Sequence, residues 1–277
     1  MVVANGPTAV GATAAVAEYP LVELVRLDAN RGYGAAANVG IERSAPNDVL
    51  LMNADAWPLA DGVEALVACL AGRPRAAMVG PRLVGRDGTP QPTRFSFPTK
   101  WWTGSPAVSS WPDRARPRRG TMKSAGQPGE LRFVLIGAVL LLRRAALERV
   151  GSFDPSFFIF NEEVDLAWRF WEAGWTCESC ADATFVHIGG SATRSEWPAM
   201  YLEQVRGHLR FLAKHQGPKV AEDARSYLRR VLRLRALFAR GEFADAYREA
   251  VRWLDRHVPT SGDGQPERTR GSEDRTS

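Results

Sequence analysis

Val49-Leu50-Leu51-Met52-Asn53-Ala54-Asp55 is the stretch that decides the fold. Its four apolar residues make a buried strand, and the polar turn after them delivers a carboxylate to the strand's carboxyl end. In open α/β sheets, ligands bind beyond that edge. One carboxylate cannot cage a metal ion. It can hold one side of a Mg²⁺ or Mn²⁺ ion whose other positions go to phosphate oxygens of a ligand. A buried strand followed by an ordinary polar turn has the same appearance, so the meaning of Asp55 depends on its surroundings.

Upstream, Val2-Val3 reads as a strand, Asn5-Gly6-Pro7-Thr8 as a turn, and the alanine-rich stretch to Ala17 as a helix. Leu21 to Leu27 reads as a second strand. Asp28-Ala29-Asn30-Arg31-Gly32-Tyr33-Gly34 then leads into a helix over Ala35 to Ser44. The glycines let backbone approach a ligand closely, and a helix amino terminus favours an anion. The same turn would serve as plain structure. Downstream, Asp61 is placed to cap a helix to Leu70, and Ala76 to Val79 is a short strand stopped at Gly80-Pro81. Strands alternating with helices argue for an α/β, doubly wound, mostly parallel sheet.

The texture changes at Gly85. Asp87-Gly88 is a hairpin-type turn. Arg94 to Glu130 is rich in proline, arginine, serine and tryptophan without a period, as in a lid, a binding loop or a disordered segment. Trp101, Trp102 and Trp111 suit stacking on a sugar or lipid, or packing beneath the loop. Phe133 to Leu142 reads as a buried strand with Gly137-Ala138 in its middle, a small pair that marks close approach of a ligand or backbone. Arg143-Arg144 opens a short helix.

Asn161 reads as the cap of the next helix, with Glu162 and Glu163 in its first turn. The helix dipole favours ionised carboxylates there, which suits a general base; helix-start acids without chemistry look alike. Asp165 and Arg169 have the spacing of a helical ion pair. Thr176 to Cys180 and Thr184 to Val186 read as strands running into His187-Ile188-Gly189-Gly190-Ser191. His187 is either a satisfied hydrogen-bonding group or a ligand to the same metal or diphosphate.

The chain has 277 residues, enough for one large or two modest domains. Lysine and arginine exceed acids by 36 to 31, a mild excess that suits an anionic ligand. No nucleic-acid-reading motif accompanies it. Three cysteines make no disulfide framework. Cys177 and Cys180 would face opposite sides of a strand, so they read as free thiols rather than a zinc site. No signal-peptide pattern follows Met1, and the apolar run Phe133 to Leu142 is too short to span a bilayer. A cytoplasmic chain is expected. Met200 to His215, Glu222 to Arg240, and the spacing of Phe243, Tyr247, Val251 and Leu254 read as helices. Their arginine excess suits a solvated face or contact with a membrane surface. From Pro259 the composition is that of a disordered tail.

Taken in order, these stretches resemble family 2 glycosyltransferases of the GT-A fold, in particular the rhamnosyltransferase-like branch. The resemblance rests on Asn30-Arg31-Gly32-Tyr33-Gly34 with Asn38, on Asn53-Ala54-Asp55, and on Gly80-Pro81-Arg82-Leu83 with Asp87-Gly88. It continues through Ile136-Gly137-Ala138, Phe160-Asn161-Glu162-Glu163-Val164-Asp165-Leu166, and His187-Ile188-Gly189-Gly190-Ser191. It implies a GT-A-like domain over 1–197, a helical appendage over 198–258 and a tail over 259–277. It further implies a divalent metal, Mg²⁺ or Mn²⁺, held by Asp55 with His187 nearby. Asn5, Asn30, Arg31, Gly32 and Asn38 would line the nucleotide, while Asn53, Gly137 and Ala138 would border the donor. Glu163 would be the base, with Glu162 its competitor. The implied reaction is inverting transfer of a sugar, by resemblance rhamnose, from a dTDP- or UDP-sugar to a glycan or lipid-linked glycan, at the inner face of a membrane.

The family opens with a strand of the type V-S-V-V-I-V-T-Y-N. Here Val2-Val3-Ala4-Asn5 resembles its second strand, with Ala4 where an aspartate is usual. An exposed central sheet edge is the expected consequence, coverable by a partner or a second copy. A non-catalytic homologue that scaffolds envelope glycan assembly is the alternative reading.

Overall fold

The structure, a computed structural model, describes residues 1–7, 11–102, 133–189 and 197–257. Trp111, Gly190, Ser191 and the tail from Pro259 lie outside the described residues.

Strand β1 (Val2–Asn5) and strand β2 (Leu24–Leu27) pair in parallel as a separate two-stranded sheet. Helices α1 (Gly11–Ala17) and α2 (Tyr33–Arg43) flank them. The main sheet has five strands in the order β3-β8-β5-β9-β4. These are β3 (Val49–Met52), β4 (Ala56–Pro58), β5 (Ala76–Val84), β8 (Val139–Leu142) and β9 (Thr176–His187). Helix α3 (Gly62–Ala71) follows β4. A short antiparallel pair, β6 (Arg94–Phe95) with β7 (Val134–Leu135), lies beside the main sheet. Helices α4 (Arg144–Val150) and α5 (Glu162–Glu172) precede β9. Three long helices close the described chain: α6 (Trp197–Gln216), α7 (Pro218–Phe238) and α8 (Gly241–Arg256).

The class is α/β with helices on a mixed sheet. β1–β2 and β5–β9 run parallel, whereas β8 is antiparallel to both β3 and β5, and β4 to β9. Several details differ from the sequence reading: the pairing is mixed where a mostly parallel sheet is expected, and β5 runs through Gly80-Pro81 to Val84 instead of stopping there. Phe133 to Leu142 is not one strand but β7 and β8 separated by a turn over residues 136–138. The turn carbonyls are used sideways: Ala138 accepts from the Asn53 backbone N–H at 2.9 Å, and Gly137 from the Tyr33 hydroxyl at 3.1 Å. Thr176 to Val186 is instead one strand, whose apparent gap is a register shift opposite Pro81–Arg82. Asp61 and Asn161 stand at helix amino ends, but neither side chain makes a capping bond.

One apolar core lies under α3, with Leu66, Leu83, Phe185 and the thiols of Cys69 and Cys180. A second, on the other face, gathers Ile41, Met78, Leu140, Leu166 and Phe170, with Cys177 against it. The two strand cysteines thus do face opposite ways. The third core joins α5 to the long helices through Trp168, Tyr201, Phe211, Leu228 and Leu254. Arg143 and Arg144 sit where two helices end: Arg143 donates to the Leu70 carbonyl at 2.7 Å, and Arg144 to that of Ile41 at 2.9 Å. Each guanidinium adds a bond to a helix-end carbonyl that already accepts one, from the Arg73 N–H at Leu70 and from the Ser44 hydroxyl at Ile41.

Candidate functional site

The loop between β2 and α2 is built by its own asparagines. Asn5 Nδ2 donates to Asn30 Oδ1 and to the Gly32 carbonyl, both at 3.0 Å. Asn5 Oδ1 accepts from the Arg31 N–H at 2.9 Å, and Asn30 Oδ1 from the Gly32 N–H at 3.0 Å. These side chains shape the loop before they could touch a ligand. Gly32 has φ +86°, and a Cβ there would lie 2.2 Å from the Phe158 carbonyl oxygen. No other residue fits. Asn38 turns away to the Phe153 backbone, donating to its carbonyl at 2.8 Å and accepting from its N–H at 2.9 Å. Both of its amide groups are committed there, so Asn38 is scaffold, contrary to the expectation that it lines the nucleotide.

Asp55 meets His187 because of strand register. Ala56 in β4 pairs with His187 in β9, and the Ile188 N–H donates to the Asp55 carbonyl at 3.0 Å. This sets Asp55 Oδ1 3.6 Å from His187 Nε2. Gln91 holds the far side of the histidine: its Nε2 donates to the His187 carbonyl at 2.7 Å, and its Oε1 lies 3.1 Å from Nδ1. A carboxylate and an imidazole suit a divalent ion in donor type. Two bonds of about 2.1 Å each can bridge donors at this separation. Among the described residues no cluster of three or more His, Cys, Asp or Glu could hold a metal. These two would therefore need ligand oxygens to complete a coordination shell.

Glu162 and Glu163 start α5 and point into the site. Glu162 is buried, its Cβ near the space a Cβ on Gly34 would fill. Glu163 lies over Gly137, where an added Cβ would be 3.9 Å from its Cδ. One oxygen of each carboxylate is buried without a hydrogen-bond partner. Burial, and then the charge of Glu163, pushes Glu162 well above the usual carboxylate range. Burial raises Glu163 to about 7 despite backbone hydrogen bonds that pull it down. The expectation that the helix start keeps the base fully ionised at neutral pH is therefore corrected: desolvation outweighs the dipole.

The turn that delivers this pair is strained. Phe160 and Asn161 both adopt left-handed backbone, φ 66° and 69°, at a cost on the order of 1–3 kcal/mol each. Helix α6 fits closely against the turn at Gly207, where a Cβ would stand 2.8 Å from the Phe160 carbonyl and from Asn161 Nδ2.

Tyr33 was quoted in the sequence motif without a role. Its hydroxyl bonds Gly137, and burial followed by the charges of Glu162 and Glu163 raises its pKa well above the ordinary range. Its place inside the glycine-rich motif just before the expected helix was the available signal. Gln91 had none, since its partner is 96 residues away. Ala4 is buried in β1. Trp102 packs on His208 with ring centres 4.6 Å apart, while Trp101 stays exposed beside Tyr227.

Comparison with known proteins adds kinship. The family model described as Glycosyl transferase family 2 matches residues 2–151. That span holds Asp55, Tyr33 and Gly137 but stops short of Glu162, Glu163 and His187. The N-acetylglucosaminyl-diphospho-decaprenol L-rhamnosyltransferase of Mycobacterium tuberculosis, in strains CDC 1551 and H37Rv, is 31% identical over 214 residues. The match covers 72% of this chain and 68% of that relative. Among solved structures, GalNAc-T7 with UDP, GalNAc and Mn²⁺ is similar with a TM-score of 0.50 and 14% identity, over 88% of this chain and 46% of that one. The mannosyltransferase PcManGT of Pyrobaculum calidifontis, in complex with GDP-Man and Mn²⁺, has a TM-score of 0.44 and 16% identity, over 90% and 71%.

Proposed function

The chain belongs to glycosyl transferase family 2, and on that premise we propose that it transfers a sugar, rhamnose by likeness to the mycobacterial relative, with inversion. The donor is a nucleoside diphosphate sugar, and the acceptor a hydroxyl of a lipid-linked glycan. One observation carries the reading: the turn over residues 136–138 is bonded to Asn53, just past β3, and to Tyr33, which opens α2, and is covered by Glu163. The residue after the Asn30–Gly32 loop, the turn that leads to Asp55, and the proposed base thus meet on one short piece of backbone.

In the proposed step Glu163 accepts the acceptor's hydroxyl proton, and that oxygen forms a bond to the anomeric carbon. The bond to the diphosphate breaks on the opposite side and its electrons leave with the nucleoside diphosphate. Glu162, kept protonated by burial, adds no second negative charge beside the base. Asp55 and His187 would hold a divalent ion, which would supply positive charge at the leaving diphosphate.

Peripheral membrane contact is proposed for α7 and α8. The second half of α7 carries Arg229, Arg230, Arg233 and Arg235 and no acid. Leu234, Leu237 and Phe238 beside them are 59%, 77% and 79% exposed. A groove of about 760 Å³ between the helices includes Leu234, Leu237, Val251 and Arg252. Arg229 and Arg233 pair with Asp255 of α8, and exposed apolar groups beside arginines suit an anionic bilayer surface at the cytoplasmic side. No described helix is long and apolar enough to cross a membrane. Flotation with phosphatidylglycerol vesicles tests this: binding should fall to background in L234S/L237S/F238S, and equal binding by that variant rejects it.

Thermal unfolding with UDP, dTDP or GDP, with and without Mn²⁺, tests the donor site. A metal-dependent rise with one nucleotide, abolished in Asp55→Ala, is expected. A folded chain unmoved by every nucleotide would argue for the scaffold reading instead.

A further inference from the structure

Gln91 grips His187 with both ends of its amide. The bond from Nε2 to the His187 carbonyl fixes which way the amide points, because a carbonyl oxygen can only accept. Oε1 is thereby turned to Nδ1, and it too can only accept. His187 Nδ1 therefore carries a hydrogen. In the neutral ring the other nitrogen, Nε2, then bears a lone pair and no hydrogen. Nε2 is the atom facing Asp55 Oδ1 at 3.6 Å. A cation shared between two such acceptors would suit this arrangement.

We infer that Gln91 is a positioning residue that locks His187 in the Nδ1–H tautomer and so presents Nε2, together with Asp55, to a divalent cation. The cation half rests on the metal reading above; the tautomer half stands on hydrogen-bond geometry alone. The turn that carries Gln91 does not need its side chain. It is already closed by the Gly85 N–H on the Thr89 carbonyl at 2.8 Å, the Gln91 N–H on the Leu83 carbonyl at 2.9 Å, and the Thr89 N–H on Asp87 Oδ1 at 3.0 Å. The amide is free to serve the histidine. Residues that orient a metal-bound imidazole through its second nitrogen change metal affinity by roughly 10–100-fold when replaced.

The test compares the full chain with Gln91→Leu and Gln91→Glu. Glutamate keeps an acceptor for Nδ1–H but loses the donor to the His187 carbonyl; leucine loses both. The chain has four histidines, so imidazole ¹⁵N shifts can be assigned by mutation. In the metal-free protein above pH 8, the original chain and Gln91→Glu should show the Nδ1–H form, and Gln91→Leu a mixture or the Nε2–H form. Mn²⁺ is then titrated with UDP, dTDP and GDP in turn, and free ion read by electron paramagnetic resonance. Affinity should fall roughly 10–100-fold in Gln91→Leu and stay within a few-fold in Gln91→Glu. An Nδ1–H form retained in Gln91→Leu overturns the inference. So does an imidazolium in the original metal-free chain. Equal loss of affinity and melting temperature in both variants would make Gln91 a plain brace. A chain that shows the tautomer but takes no Mn²⁺ with any nucleotide overturns the metal reading and, with it, the cation half of this one.

Discussion

His215 Nε2 lies 2.7 Å from Asp165 Oδ1, and this contact ties the last turn of α6 to the helix that begins with Glu162 and Glu163. Asp165 is completely buried, and Arg169 at 2.8 Å and Lys214 at 2.7 Å complete its partners. Burial opposes its ionisation, but the hydrogen bond from His215 and the charge of Arg169 win, holding the carboxyl at about 2. Removing one member leaves buried charge uncompensated, so Asp165→Ala should cost about 3–5 kcal/mol in urea unfolding at pH 7. The folded pKa is depressed, so the stabilisation is complete above the usual aspartate value and fades as pH falls toward 2. The original chain should therefore lose stability below pH 4 more steeply than the variant.

Glu163→Gln tests the base and its energetic cost together. Transfer should fall by roughly 10²–10⁴-fold, the usual contribution of a positioned base. In the original chain kcat/KM should rise through a midpoint near 7, where Glu163 loses its proton. Stability runs the other way. A folded pKa above the unfolded value means the native state binds the extra proton between about 4.5 and 7, so the fold weakens as pH rises through that window. Glutamine has no such proton to lose. By pH 8 the variant should unfold at a higher temperature than the original, by the equivalent of at most about 3 kcal/mol. Equal melting temperatures at pH 5 and pH 8 would show that Glu163 is not desolvated.

Gly32→Ala should be the most damaging change in the donor loop. Its Cβ would need the place of the Phe158 carbonyl oxygen, and the positive φ adds strain. Nucleotide-dependent thermal shifts should vanish and the chain melt several degrees lower, whereas Asn38→Ala should lower stability and leave nucleotide affinity largely intact.

Tyr33→Phe removes a single bond to the Gly137 carbonyl, worth about 1 kcal/mol. Melting should fall slightly while KM for the donor rises, because the turn over residues 136–138 loses its tie to the start of α2. An unchanged KM would detach Tyr33 from the site.

Much of this was legible in the chain. β3 and the turn beyond it that carries Asp55 followed from an apolar run ended by polar residues, and the long helices from their period. Glu162 and Glu163 were located at a helix start, but their ionisation was not, because burial is a property of the packed site. Phe133 to Leu142 misled for a physical reason: an apolar run with a small pair inside it looks the same whether it runs straight or turns. The Asp165–His215 and Gln91–His187 contacts join residues 50 and 96 positions apart, beyond any local spacing rule.

The separation of β1–β2 from the main sheet has a consequence for motion. Among the described residues no ladder of backbone hydrogen bonds joins the two sheets. The small sheet is held through α2, by Asn38 on Phe153, Tyr33 on Gly137 and Phe158, Arg144 on Ile41, and the packing of Ile41 in the second core. Few bonds must break for it to come loose, so its amides should exchange with deuterium well before those of β5 and β8, as a cooperative unit of its own. Asn5 and Asn30 ride on that unit. A nucleotide seated there would slow its exchange, and part of the binding free energy would go into quieting a fluctuating fragment.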